Sequence, residues 1–363
     1  MRTFPYIPRV FWLLLAFYHL LLSAVAYVYL ETHDGDAYLY WFAQGKPVGS
    51  WFSYLGFGTD SILFLNYPFA QVLELPFWMG SLFYSALGFL GIVTFSRLFL
   101  ALLGDTLAHR WVRYLVYFVL LLPNLHFWTG LIGKEALVFW GLSTLFWQMY
   151  QQRYRSFAFV FSLLLLGVIR PHLVLLLALA FGVAVLLSHS FTFRVKLQLA
   201  FVVLGVAVLA FYPVLQLTQL YYWDWERVVH FNAFSRHSFQ HAQSYIPLDS
   251  YALPEQYFAF LFRPFFESSA SVYSWVLSIE NAWVLLLHLI GLPLLFYYYP
   301  KGRLAFWFGF VLLFTVLAVG VYLQRYSALG IFVRTKIQFQ PFVLLLLTWG
   351  LSRLVLSPKS SAV

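Results

Sequence analysis

Residues 10–30, 197–223 and 304–324 contain no Asp, Glu, Lys or Arg, and residues 156–188 contain only Arg170. An uncharged apolar run of about 20 residues matches the length of a helix crossing a hydrocarbon core roughly 30 Å thick. Lipid offers the backbone no hydrogen bonds, and a helix satisfies its own N–H and C=O groups within one segment. The whole chain shares this character. Of 363 residues, 62% are hydrophobic and 10% charged, against roughly 25% charged in soluble domains. The expected fold class is therefore all-α, a polytopic transmembrane helix bundle. With Cys 0, thiol chemistry, disulfides and Cys-ligated metals are excluded,.

Cutting the chain where charge, Pro and turn residues cluster predicts about ten spans. Their limits are 8–30, 76–103, 111–128, 134–150, 156–170, 172–188, 197–218, 272–298, 304–323 and 337–356. The connections then sort by charge. One side holds thirteen bases, Arg2 to Lys359, against the single acid Asp105, and the other holds the remaining nine bases and twelve acids. The positive-inside rule places both termini in the cytoplasm and the long connections 31–75 and 219–271 outside. The formal net charge of +9 is thus a topology signal and implies no nucleic-acid partner. The first span has a basic start and no small-residue cleavage site before Glu31, so it reads as a retained helix. Lipidation lacks an acceptor Cys. Residues 1–357 form one integral membrane domain in this reading, and the Ser-rich tail 358–363 reads as disordered. The basic loops are too short for a βαβ nucleotide-binding unit. Chemistry is expected on the outer face.

Several residue groups on that face have functional spacing. Asp34 and Asp36 flank Gly35 directly after the first span. Such a turn can turn two carboxylates toward one hydroxyl or one divalent cation, and solvated loop acids are the competing reading. Gly133, Lys134 and Glu135 open an apolar segment. Free N–H groups, the positive end of a helix dipole and an ammonium suit a phosphate. Lys134 and Glu135 are neighbours and point to different helix faces, so each needs another partner; the competing reading is a snorkelling Lys. Arg170 and His172 bracket Pro171 between two short apolar segments, where they are costly unless they line a wet cavity or meet an anion. His237 and His241 lie four apart, but no third metal ligand stands at a fixed spacing, so no metal is assigned. The aromatic residues Tyr221, Tyr222, Trp223 and Trp225 suit a carbohydrate face or an interfacial belt,. Arg263 sits in an interfacial stretch, Glu280 lies beside Asn281 inside an apolar span, and Arg325, Arg334 and Lys336 precede the last span against the charge rule. A bound anion would explain those three bases.

An Asp-x-Asp cluster after span one, a set of bases on the same face, and the late stretch Arg334-Thr335-Lys336-x-x-x-x-Pro341 together resemble C-type membrane glycosyltransferases. More narrowly, the chain looks like bacterial exopolysaccharide and O-antigen polymerases. The resemblance is architectural over the whole chain and carried by short motifs. It implies that Asp34 and Asp36 assist the acceptor hydroxyl; Glu280, an acid inside an apolar span, is a further catalytic candidate by its placement. It gives Lys134, Arg170, Arg263, Arg325 and Arg334, with Glu135, His172 and Lys336 beside them, to the substrate and its phosphate. The chain departs from larger members in its lower span count and in carrying no soluble C-terminal domain. No organic cofactor is expected, and a divalent cation at Asp34 and Asp36 is the one metal option. The implied partner is a polyprenyl-linked glycan at the outer face of a bacterial inner membrane. A flippase or carrier of lipid-linked glycan or another anion is the alternative, and a non-catalytic export subunit a third reading.

Overall fold

The structure, a computed structural model, describes residues 6–32, 35–44, 49–189, 191–220, 224–266 and 271–356. Helices dominate, and no strand is formed among the described residues beyond one isolated bridge between Tyr245 and Ala328. The helices divide between two compact units.

The first unit contains α1 (Arg9–Thr32), α2 (Asp36–Phe42), α3 (Thr59–Tyr67), α4 (Phe77–Leu103), α5 (Arg110–Leu120), α6 (Pro123–Thr129), α7 (Lys134–Tyr150) and α8 (Phe157–Ile169). Its packing centres on α4, which lies along α7 and meets α1 and α6. Small residues make that approach possible. A Cβ on Gly88 would collide with the Thr129 carbonyl oxygen, and one on Gly91 would come within 3.0 Å of the Trp140 backbone. Helices in lipid gain little from burying apolar side chains against each other, so close backbone approach through Gly and Ser carries their association.

The second unit contains α9 (Pro171–Leu187), α10 (Phe193–Thr218), α11 (Trp225–His237), α12 (Leu253–Phe262), α14 (Gly302–Arg325) and α15 (Leu329–Thr335). Helices α13 (Val272–Tyr297) and α16 (Gln340–Ser352) are divided between the two units, at Ile290/Gly291 and Leu344/Leu345. In the second unit α9 packs between α10 and α14, while α11 and α12 lie against α14. Its core is aromatic. Phe260 sits 4.5 Å from Phe332 and stacks on Tyr322 and Phe339, and all four rings are buried. Most of α10 is exposed, as befits a helix that faces apolar surroundings on nearly every side.

Among the described residues, five helices are long and apolar enough to cross a membrane: α1, α4, α10, α13 and α14. The count rises to six if the bent pair Leu329–Gln338 and Gln340–Val355, with 59° between its arms, is one span. The expected spans 134–150, 156–170 and 172–188 are helices of 17, 13 and 17 residues, short of the roughly 20 that a perpendicular crossing needs. The segment 111–128 is not one helix. It breaks after Leu120, and Pro123 starts α6. The reason is local: α5 is amphipathic, burying Val112, Val116 and Val119, and proline tolerates only the first turn of a helix. Part of the connection 219–271 is also ordered into α11 and α12.

Candidate functional site

Asp34 lies outside the described residues. Asp36 is the first residue of α2 and is exposed, where a carboxylate at the positive end of the helix dipole is favoured.

The first unit gathers Lys134, Glu135 and Arg170. Glu135 stands in the first turn of α7 and is 4% exposed, while Arg170 ends α8 and is 8% exposed. Arg170 Nη2 donates to Glu135 Oε1 at 2.6 Å. The anion that Arg170 meets in this structure is therefore a protein carboxylate. Lys134, on another face of the helix start, donates from Nζ to Thr59 Oγ1 at 3.0 Å and lies 5.7 Å from the centre of the Tyr40 ring. The expectation that Lys134 and Glu135 each find a separate partner is thus realised. A backbone bond from Gly58 N–H to Val168 O, 2.8 Å, ties the α3 entrance to α8 beside this cluster.

The second unit holds the remaining candidates, Arg334 apart, in three places. The first is a cavity of about 410 Å³ among α9, α10, α11 and α14, with Leu175, Leu176, Phe211 and Val214 on its apolar walls. Its lining also includes His172, Tyr322, Asn232, Gln324 and Arg325. Arg325 is positioned twice: its guanidinium carbon lies 4.1 Å from the Phe231 ring centre, and Nε donates to Ser235 Oγ at 3.3 Å. An Arg stacked on an aromatic face holds a fixed orientation and keeps its charge. His172 Nε2 stands 3.5 Å from Tyr322 Oη, which donates to Gln338 Oε1 at 2.7 Å. The cavity rim is thereby linked to the 3-10 turn Lys336–Gln338, just before the bend into α16.

The second place is that turn. Lys336 is fully buried and donates from Nζ to Asn281 Oδ1 at 2.6 Å, and Asn281 Nδ2 donates to the Pro264 carbonyl at 2.8 Å. Glu280, 5% exposed, acts on the Lys336 ammonium by its charge. A buried ammonium needs such partners, because desolvating an unpaired charge costs several kcal/mol. Arg263 is the third place: it follows α12 and donates to Tyr251 Oη at 2.7 Å. Arg334 lies half-buried in α15.

The structure thus joins Lys134, Glu135 and Arg170 in one cluster, His172 and Arg325 on one cavity, and Glu280 with Lys336 in one buried network. Arg170 and His172, two residues apart in sequence, belong to different units. Tyr322, Gln338, Ser235 and Phe231 were missed by sequence reasoning, because a Tyr, Gln, Ser or Phe within an apolar or aromatic stretch has no distinguishing spacing. Among the described residues, no group of three or more His, Asp or Glu is arranged to hold a metal ion. Comparison with protein-family models, with curated proteins and with solved structures finds no match for this chain.

Proposed function

We propose that the protein is a membrane glycosyltransferase, of the kind that polymerises polysaccharide, acting on a polyprenyl-phosphate-linked donor at the outer face of a bacterial inner membrane. The observation that carries this reading is the cavity of the second unit, about 410 Å³, with apolar walls and Arg325, His172 and Tyr322 in its lining. An amphiphile with an anionic head has this division of chemistry: a chain that lies against Leu, Val and Phe, and oxygens that accept from guanidinium and imidazole. Glycosyl transfer builds negative charge on the departing phosphate, and a cation held in place beforehand lowers that barrier. Arg325 suits the role because its stacking on Phe231 and its bond to Ser235 fix it before the substrate arrives,. Asp36, with Asp34 beside it in sequence, is the proposed acceptor-activating pair. Glu280 serves the Lys336 ammonium in this reading, and Lys134, Arg263 and Arg334 are phosphate candidates outside the lining of this cavity.

The test uses purified full-length protein in liposomes. Polyprenyl phosphate should bind the wild type, and Arg325→Ala should weaken binding about tenfold to 150-fold, the equivalent of roughly 1.5–3 kcal/mol for a charge-assisted hydrogen bond. Wild type given lipid-linked repeat units should lengthen them. Binding without lengthening removes the transferase reading, and undiminished binding by Arg325→Ala removes this cavity as the phosphate site.

A carrier of lipid-linked glycan is the second reading. It is favoured by the buried Lys336–Asn281 contact next to a bent helix pair, since broken helices with internal charges are common in transporter binding sites. Movement of labelled lipid across liposomes without any change in glycan length would support it.

A further inference from the structure

His19 on α1 and His126 on α6 face one another inside the first unit, 1% and 0% exposed. Their Nδ1 atoms are 3.1 Å apart. On the far sides of the rings, His19 Nε2 lies 2.9 Å from the Ser85 carbonyl oxygen and His126 Nε2 lies 2.7 Å from the Leu120 carbonyl oxygen. A carbonyl oxygen can only accept, so each Nε2 must carry the hydrogen. A neutral imidazole has one N–H, which would leave both Nδ1 atoms as bare acceptors aimed at each other. The three contacts need three hydrogens, and two neutral rings supply two.

We propose that His19 and His126 form a binding site for one proton, shared between the two Nδ1 atoms, so that the pair holds a single positive charge inside the helix bundle. The separation of 3.1 Å is that of an N–H···N hydrogen bond,, and a proton occupies it without moving either ring. Burying a cation costs several kcal/mol of lost solvation; here the charge is spread over two rings, each donating to a carbonyl. Leu120 is the last residue of α5, and its carbonyl is among those a helix leaves without an intrahelical partner,. His126 itself lies in the last turn of α6. Helix C-termini carry partial negative charge and favour a cation.

The groups facing the pair are uncharged. On α1, the Tyr18 ring meets His126 edge-on at 4.9 Å, and Ser23 donates to the His19 carbonyl at 2.8 Å. On α4, the Phe89 ring lies 5.6 Å from His19, and the Ser85 hydroxyl bonds with Ser23 at 2.8 Å. On α5, the contact is the Leu120 carbonyl. Among the described residues, no carboxylate, Lys or Arg acts on the charge of either ring. The shared proton therefore ties α1 to α6 and to the end of α5 at one point. This site lies outside the proposed glycan-binding cavity and stands independently of it.

Nuclear magnetic resonance of full-length protein labelled with ¹⁵N-histidine, at pH 7, reads the site directly. One proton resonance should correlate with two different Nδ1 atoms, with both Nε2 atoms protonated, and it should vanish in His19→Gln and in His126→Gln. The wild-type spectrum decides even where a variant does not fold, because the coupling itself joins the two nitrogens. Two neutral rings with no coupling between them would overturn the proposal. So would a stoichiometric copper(I) ion retained by purified wild type and lost from both variants, which would assign the facing lone pairs to a metal.

Discussion

Arg170 Nη2 lies 2.6 Å from Glu135 Oε1, and the two residues stand at the end of α8 and the start of α7, 35 positions apart in the chain. Both helices present polar termini at this point, and the ion pair lets those termini stay buried. The pair also holds the Arg170 guanidinium between α7 and α8, which pack along each other.

Removing one partner should cost more than removing both. Arg170→Leu leaves an uncompensated buried carboxylate and should destabilise the protein by about 3–5 kcal/mol, whereas Glu135→Leu with Arg170→Leu should recover most of that loss. Thermal unfolding in detergent of the two single variants and the double variant measures the difference. Equal stability of Arg170→Leu and wild type would remove the pair as a stabilising contact.

Gly88→Ala should loosen the contact of α4 with α6. The added methyl meets the Thr129 carbonyl oxygen, which is backbone and cannot rotate away. Overpacking of this kind costs about 1–3 kcal/mol. Gly205→Ala is the control, since nothing lies within 4 Å of its Cβ position. A melting temperature lowered in the first variant and unchanged in the second is the expected result.

The topology assignment is tested by labelling, which the absence of native cysteine makes simple. Single cysteines at exposed Ser50 and Ser238 should react with an impermeant thiol reagent added outside cells. A cysteine at exposed Tyr154, among the basic connections, should react only after the membrane is opened,. The reverse pattern would move the proposed outer site to the cytoplasm.

Asp36→Asn should reduce glycan lengthening roughly a hundredfold, since it removes proton acceptance while keeping the size of the side chain. Binding of polyprenyl phosphate should be unchanged. Product length on a gel, for wild type, Asp36→Asn and Asp34→Asn, gives the comparison. Full lengthening by both variants would clear the pair of the catalytic role.

The helical class and the positions of the five long apolar helices were legible in the sequence because the governing constraint is local. In an apolar medium each backbone group must bond within a few residues, so an uncharged run such as 304–324 becomes α14 wherever its neighbours lie,. The partners of the charged residues were not legible, because they depend on which helices pack together. Nothing in the spacing of Arg170 indicates Glu135, and nothing near Lys336 in sequence indicates Asn281, 55 positions earlier. Likewise His19 and His126 are separated by 107 positions and meet only because Gly88 and Gly130 allow α1, α4 and α6 to approach closely. Composition determined that buried charges here must be partnered, since lipid solvates none of them. Tertiary packing decided which partner each received, and in doing so turned Arg170 toward a carboxylate and left Arg325 lining a cavity.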